Sequence, residues 1–154
     1  MELFFDMKYL KRITLSQIED IAPLFDNYRL FYKMESNIEA AKVFLNDRIS
    51  NKESVIFAAY EGIKAIGFVQ LYYTFSSVSL EKSLILNDLY VSSTYRKQSV
   101  GQQLLEKAQQ FCVQQGFKGL TLETAIDNPA QKLYEKLGWE KDYHCFHYFW
   151  QVKR

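Results

Sequence analysis

The sequence predicts an α/β (α+β) domain: a central, mixed and mostly antiparallel sheet flanked by about four helices. Three observations carry this. Leu84–Val91 is a mostly apolar run interrupted by Asn87 and Asp88; after a short polar turn, apolar residues recur at helical spacing at Val100, Leu104, Leu105, Ala108, Phe111 and Cys112. Val55–Tyr60 and Ala65–Tyr73 are β-rich runs joined through Glu61-Gly62, which marks a hairpin. Ahead of them, Ser16-Gln17-Ile18-Glu19 and Ser36-Asn37-Ile38-Glu39 have the Ser-x-x-Glu pattern of a helix start.

Taken in order, Met7–Ile13 is read as an edge strand. A first helix follows the Ser16 box, with Ile18, Ile21, Leu24, Phe25 and Tyr28 on one face. Pro23 either kinks it or moves its start toward Asp20–Ile21. Tyr28–Met34 mixes aromatic and polar side chains. The second helix buries Ala41, Phe44, Leu45 and Ile49. Strands at Ser54–Tyr60 and Lys64–Tyr73 precede a serine-rich loop, Thr74–Lys82. The central helix stops at Gly116, and Lys118–Ala125 alternates as a strand. The strands flanking that helix should run parallel, with a right-handed crossover. Asn128-Pro129 caps a short helix, Pro129–Leu137, which ends at Gly138. The aromatic tail Trp139–Arg154 closes the chain as one or two strands. Residues 1–154 show no repeat, linker or low-complexity run and read as a single domain.

Composition narrows the function. A formal net charge of +1 and the absence of a long basic run exclude nucleic acid as the main partner. No apolar run is long enough to span a bilayer, and Met1–Leu10 contains Glu2, Asp6 and Lys8, unlike a signal peptide. The expectation is therefore no membrane partner and a cytoplasmic location. Cys112 and Cys145 read as free core thiols of a reducing compartment. His144-Cys145-Phe146-His147 is not read as a metal site, because in a strand only alternate residues share a face and no further ligands stand nearby. Tyr143, Phe146, Tyr148, Phe149 and Trp150 exceed what one sheet face can bury, which raises the expectation of a homodimer contact from pattern alone.

The turn after Val91 carries Arg96 and Lys97, then the small residues Ser99 and Gly101 where the helix opens. A helix N-terminus presents unpaired N–H groups and the positive end of a dipole, and small residues let a phosphate come close. The turn is neither a Walker loop nor the dinucleotide fingerprint. Arg96-x-x-Ser99-x-Gly101 instead resembles the Gln/Arg-x-x-Gly-x-Gly/Ala motif of the GNAT N-acetyltransferases, with Ser99 in place of the first glycine. Downstream, Asn128-x-Ala130-x-x-x-Tyr134-x-x-x-Gly138-Trp139 is similar to a second segment of that family, and the order of elements also matches.

The resemblance implies a sheet that splays between Leu84–Val91 and Lys118–Ala125 at the cofactor site, with acetyl-CoA as co-substrate and no metal. It implies that Leu89, Tyr90 and Val91 bond the pantetheine arm through their backbone. Arg96, Lys97, Gln98, Ser99, Val100, Gly101 and Gln102 would hold the pyrophosphate, and Asn128, Ala130, Lys132 and Tyr134 would complete the cofactor site. Tyr134 would protonate the leaving thiolate, a role that suits a phenol with an ordinary pKa of about 10. The proton acceptor for the amine is Asp88, Glu123 or water. Asn87-Asp88 is similar to a Glu-Asp pair of the spermidine/spermine and thialysine acetyltransferases. Asp88 stands equally as that base and as a strand-end carboxylate paired with Arg96 or Lys97; Glu123 reads as structural.

Tyr28, Tyr32, Glu35 and Asp88 could form an aromatic and acidic pocket for cationic amines, or the tyrosines could simply pack the helix. The resulting expectation is direct acetyl transfer, in a ternary complex, to a primary amine of a polyamine, diamino acid or aminoglycoside. Two alternatives stand beside it: a histone or protein lysine acetyltransferase, and a non-catalytic acetyl-CoA sensor, toward which Ser99 and Asn87 point.

Overall fold

Five strands form one sheet in the order β1 (Lys8–Arg12), β2 (Ser54–Glu61), β3 (Lys64–Ser76), β4 (Glu81–Val91) and β5 (Leu120–Thr121). All neighbours are antiparallel except β4 and β5, which are parallel, so the sheet is mixed as the sequence predicts. These are features of a computed structural model that describes residues 8–154. Met7, the first residue of the predicted edge strand, lies outside the described residues. The chain falls into two compact units, one ending at Glu123 and one spanning Thr124–Arg154.

In the first unit the sheet carries helices on both faces. A Cβ on Gly67 of β3 would touch Val100 and Leu104, so odd-numbered residues around Gly67 face α3 (Val100–Gln114). The even-numbered Phe68 instead packs its ring against Phe25 and Tyr28 of α1 (Ile18–Phe31). Ile18, Ile21, Ala22 and Phe25 of α1 join Ile56, Ala58, Tyr60 and Phe68 in one buried cluster. On the opposite face Leu104, Leu105, Ala108 and Phe111 are buried, and Phe57 meets Phe111 at 5.6 Å between ring centroids.

The helix starts differ from the expected boxes by one or two residues. A 3-10 turn, Leu15–Gln17, leads into α1, and its cap is Thr14, whose backbone N–H donates to Gln17 Oε1 at 2.9 Å. The helix runs through Pro23 without moving its start, because Ile21, Ala22, Leu24 and Phe25 around it are buried and outweigh the one lost backbone bond. In α2 (Ile38–Ser50) the cap is Asn37, whose side chain accepts from the Ala40 N–H at 3.0 Å; Ser36 is engaged elsewhere. Ala41 and Leu45 are buried as predicted, while Phe44 is partly exposed and stacks on Phe25 at 5.7 Å.

Five further expectations are corrected. Thr74–Lys82 is a tight hairpin, not a loop, because Thr74, Phe75 and Ser76 pair with Ser83, Lys82 and Glu81 and so keep their backbone groups satisfied in a ladder. The strand predicted at Lys118–Ala125 is only Leu120–Thr121, since the β-rich residues beyond have no ladder partner. Residues 139–154 form no strand; aromatic content supplies side chains for a face but no partner for the backbone. Cys112 is a buried free thiol, but Cys145 is exposed. In the second unit α4 is Gln131–Lys136, shorter than Pro129–Leu137, and the Tyr134 ring lies 6.1 Å from that of Trp139. No helix among the described residues is long and apolar enough to cross a membrane.

Candidate active site

Strict alternation along β4 would place Leu84, Leu86 and Asp88 on one face. The register breaks that alternation: Leu71 pairs with Leu86 but Gln70 pairs with Asp88, so Asn87 is an extra residue in the ladder. A bulge of this kind re-aims the side chains beyond it. Leu86 stays with Leu71 on the α3 side, and Asp88 turns with Gln70 and Phe68 toward α1.

There Asp88 is 2% exposed. Gln70 Nε2 donates to its Oδ2, and Asn87 Nδ2 donates to Oδ1 at 2.9 Å. Tyr28 reaches over from α1, donating its hydroxyl to the Asn87 carbonyl at 3.3 Å. Burial pushes the Asp88 carboxyl above the usual carboxylate range, opposed by hydrogen bonds from Gln70, Asn87 and Tyr28. Burial, then the neighbouring Asp88 charge, holds the Tyr28 and Tyr72 phenols well above their ordinary value. No Lys or Arg forms an ion pair with Asp88 among the described residues. The expected partner Arg96 instead donates Nε to the Val91 carbonyl at 3.0 Å and lies over the Tyr90 ring at 5.8 Å. The strand-end ion pair is therefore corrected: Asp88 is a buried carboxylate held by neutral donors.

Aromatic rings gather around Tyr28. Tyr28 meets Tyr32 at 5.0 Å, Phe68 at 6.1 Å and Tyr90 at 6.5 Å. Glu35 is exposed, and it is its backbone carbonyl that accepts from Arg29, at 3.1 Å. The connection from α1 to α2 is pinned by Asp26, which is 3% exposed. Asp26 accepts from the Ser36 hydroxyl at 2.6 Å, the Asn37 N–H at 2.8 Å and Arg29 at 3.2 Å. The Ser36 and Asn37 donors, in that order, hold its carboxyl below the usual range. Sequence reasoning missed Gln70 and Asp26. The available signal was a polar side chain set among Phe68, Val69 and Leu71, and among Leu24, Phe25 and Tyr28, respectively.

The residues expected to hold the cofactor fall in two places. In the first unit, β5 pairs with β4 only at Leu84 and Ile85, which leaves the stretch Leu86–Val91 without a ladder partner on that edge. Beyond Val91 a 3-10 turn, Ser93–Tyr95, leads to Lys97 at φ +59° and Ser99 at φ +63°. Ser99 makes no side-chain cap bond to α3, and a helix N-terminus entered through two left-handed residues is a shape suited to an anion. A Cβ on Gly101 would meet nothing nearer than Val91 Cγ2 at 3.8 Å, so the protein itself leaves room there. These features fit a cofactor with an extended amide arm and a pyrophosphate. In the second unit, Asn128 accepts from the Ala130 N–H at 2.9 Å and donates to Thr124 at 2.9 Å, Lys132 is exposed, and Tyr134 is half-buried. Glu123, the other carboxylate considered, follows β5 and is exposed.

A family model described as "Acetyltransferase (GNAT) family" matches residues 21–139. The chain is 44% identical over 140 residues to "Uncharacterized N-acetyltransferase YhfO" of Bacillus subtilis, covering 90% of this chain and 94% of that protein. It is 32% identical to a "Probable acetyltransferase" of Haemophilus influenzae, covering 77% of this chain and 90% of the relative. A crystal structure of a probable acetyltransferase superimposes with a TM-score of 0.89 at 38% identity, over 95% of this chain and 99% of the other.

Proposed function

The chain belongs to the acetyltransferase (GNAT) family, and we propose that the acceptor in its reaction is the primary amine of a small cation (a polyamine, diamino acid or aminoglycoside) whose proton Asp88 takes. The protein is an N-acetyltransferase, and the acyl donor of its family is acetyl-CoA. One observation supports the finer reading: Asp88 is a carboxylate buried with neutral partners only, beside Tyr28, whose ring meets those of Tyr32 and Tyr90.

An amine acceptor arrives protonated. Aromatic faces attract such a cation by about 0.5–2 kcal/mol, the more so when water is excluded. A buried carboxylate without a counter-cation has enhanced proton affinity, which suits it to take the proton that must leave before nitrogen can attack. Glu35, at the exposed end of the same connection, adds negative charge for the distal amine of a polycation.

The cofactor roles rest on the motif positions. Leu89, Tyr90 and Val91 offer backbone groups on the open edge of β4. Arg96, Lys97, Gln98, Ser99, Val100, Gly101 and Gln102 form the anion-binding turn. Asn128, Ala130, Lys132 and Tyr134 are assigned from the second motif, with Tyr134 returning a proton to the thiolate. Transfer is direct, in a ternary complex.

Thiol release from acetyl-CoA should be measured with spermidine, a diamino acid, an aminoglycoside and a basic peptide as acceptors. Turnover on the small amines with little on the peptide is expected; preference for the peptide would replace this reading with a protein acetyltransferase. Tyr134→Phe should lose turnover while its calorimetric acetyl-CoA affinity stays within a few-fold. Unchanged turnover would remove Tyr134 from the assignment.

A further inference from the structure

Gln70 lies inside β3 with its side chain fully buried. Its amide has two ends of opposite character. Nε2 donates to Asp88 Oδ2, whereas Oε1 is buried and has no hydrogen-bond partner among the described residues. An unpaired amide oxygen in the interior is costly, and a native fold keeps one where a donor serves it in another state.

The neighbouring carboxyl can be that donor. An ionised Asp88 only accepts hydrogen bonds, but a protonated Asp88 has one O–H to give. Lysine or arginine at position 70 would hold Asp88 ionised, and leucine would disfavour the ion. A glutamine answers both forms, Nε2–H to the carboxylate and, after a half-turn about Cγ–Cδ, Oε1 to the acid. Asn87 already donates to Oδ1, which leaves Oδ2, the atom that Gln70 contacts, as the place for the proton.

The other groups facing Asp88 carry no charge of their own. They are Tyr72 on β3, Asn87 on β4 and Tyr28 on α1, with Tyr32 beyond Tyr28. The Tyr28 and Tyr72 phenols stay neutral, and the nearby cation Arg48 of α2 acts on Tyr72.

We propose that Gln70 is a positioning residue that serves both protonation states of Asp88, its amide donating from Nε2 to the carboxylate and turning over to accept the Asp88 O–H at Oε1. In turnover the proton leaves the amine nitrogen, resides on Asp88 Oδ2 and passes to solvent afterwards; no covalent bond of Gln70 forms or breaks. The catalytic use of the device rests on Asp88 being the base. The amide exchange does not.

The test is a pH titration of the full chain by NMR, following the Gln70 side-chain Nε2H₂ resonances and the Asp88 carboxyl carbon, with Gln70→Met and Asp88→Asn giving the assignments. Both signals should move with one shared midpoint, and the Gln70 amide should not titrate in Asp88→Asn. In Gln70→Met the Asp88 midpoint should rise by about one pH unit, because the bond lost to the ion is stronger than the bond lost to the acid. A Gln70 amide that stays invariant while Asp88 titrates overturns the proposal. So does an Asp88 that never titrates in the folded protein, or a midpoint that falls or stays put in Gln70→Met. Should the signals move together while the pH profile of thiol release lacks a limb at that midpoint, the base assignment fails and the exchange stands.

Discussion

Ser99 holds φ at +63° at the mouth of α3, a conformation that costs a residue bearing a Cβ about 1–2 kcal/mol. Ser99→Gly removes that cost but adds about 0.5–1 kcal/mol of chain entropy to the unfolded state. The expected net gain is about 0.5 kcal/mol in urea unfolding, by difference of those two effects, together with acetyl-CoA binding at least as tight by calorimetry; weaker binding would show that the Ser99 side chain contacts the cofactor. Asp88 gives a signed pH prediction. Its folded pKa is raised by burial, so its contribution to stability is complete below the unfolded value of about 3.9 and is lost as pH rises through the folded pKa. Asp88→Asn should therefore gain on wild type as pH rises through that window, read as the difference in Tm across a pH series. A difference that moves the other way would mean that the carboxylate is stabilised where it lies. The sequence singles out Asp88 as a candidate, but its direction was not legible. Alternation alone puts it with Leu84 and Leu86, and only the unpaired Asn87 turns it to α1.

Gly67 and Asp26 act through the elements they join. A Cβ at Gly67 would lie 2.9 Å from the Tyr90 carbonyl, a backbone atom that can move only by bending the β3–β4 pair. Gly67→Ala should cost about 1–3 kcal/mol in urea unfolding; a neutral result would show that the pair is pliable at the end of the bulged strand. Asp26 ties the end of α1 to the cap of α2, so Asp26→Ala frees the segment that carries Tyr32 and Glu35. An acceptor KM raised several-fold, with kcat within about two-fold, is the expected signature of a loosened binding segment rather than a damaged reaction centre. The carboxyl of Asp26 is lowered in the fold, so its stabilisation is present above about pH 3.9 and disappears as pH falls through the folded pKa, where mutant and wild type should converge. Elements whose pattern is local were legible: the β2–β3 hairpin, and α3 with its buried Val100, Leu104, Leu105, Ala108, Phe111 and Cys112. Elements whose existence depends on a partner were not. Leu122, Glu123 and Thr124 have the composition of a strand without a ladder, and Thr74–Ser76 have the composition of a loop within one.

At the scale of the whole molecule, the order of elements and two short motifs were enough to read the family, because a cofactor's pyrophosphate and a strand-like arm demand particular backbone shapes that few residue types supply. The acceptor was less legible, since the residues we propose to meet it come together from places as distant in sequence as Tyr28 and Asp88. Family and acceptor meet at Asp88, the buried carboxylate without an ion-pair partner among the described residues that we propose deprotonates a small amine. The most direct measurement compares kcat for acetylation of the best small amine by wild type and by Asp88→Asn, with acetyl-CoA affinity measured on the same samples. A fall in kcat of about 10²-fold or more, with cofactor affinity unchanged, is the result predicted. An Asp88→Asn enzyme that turns over within a few-fold of wild type would contradict the claim and return Asp88 to a structural role.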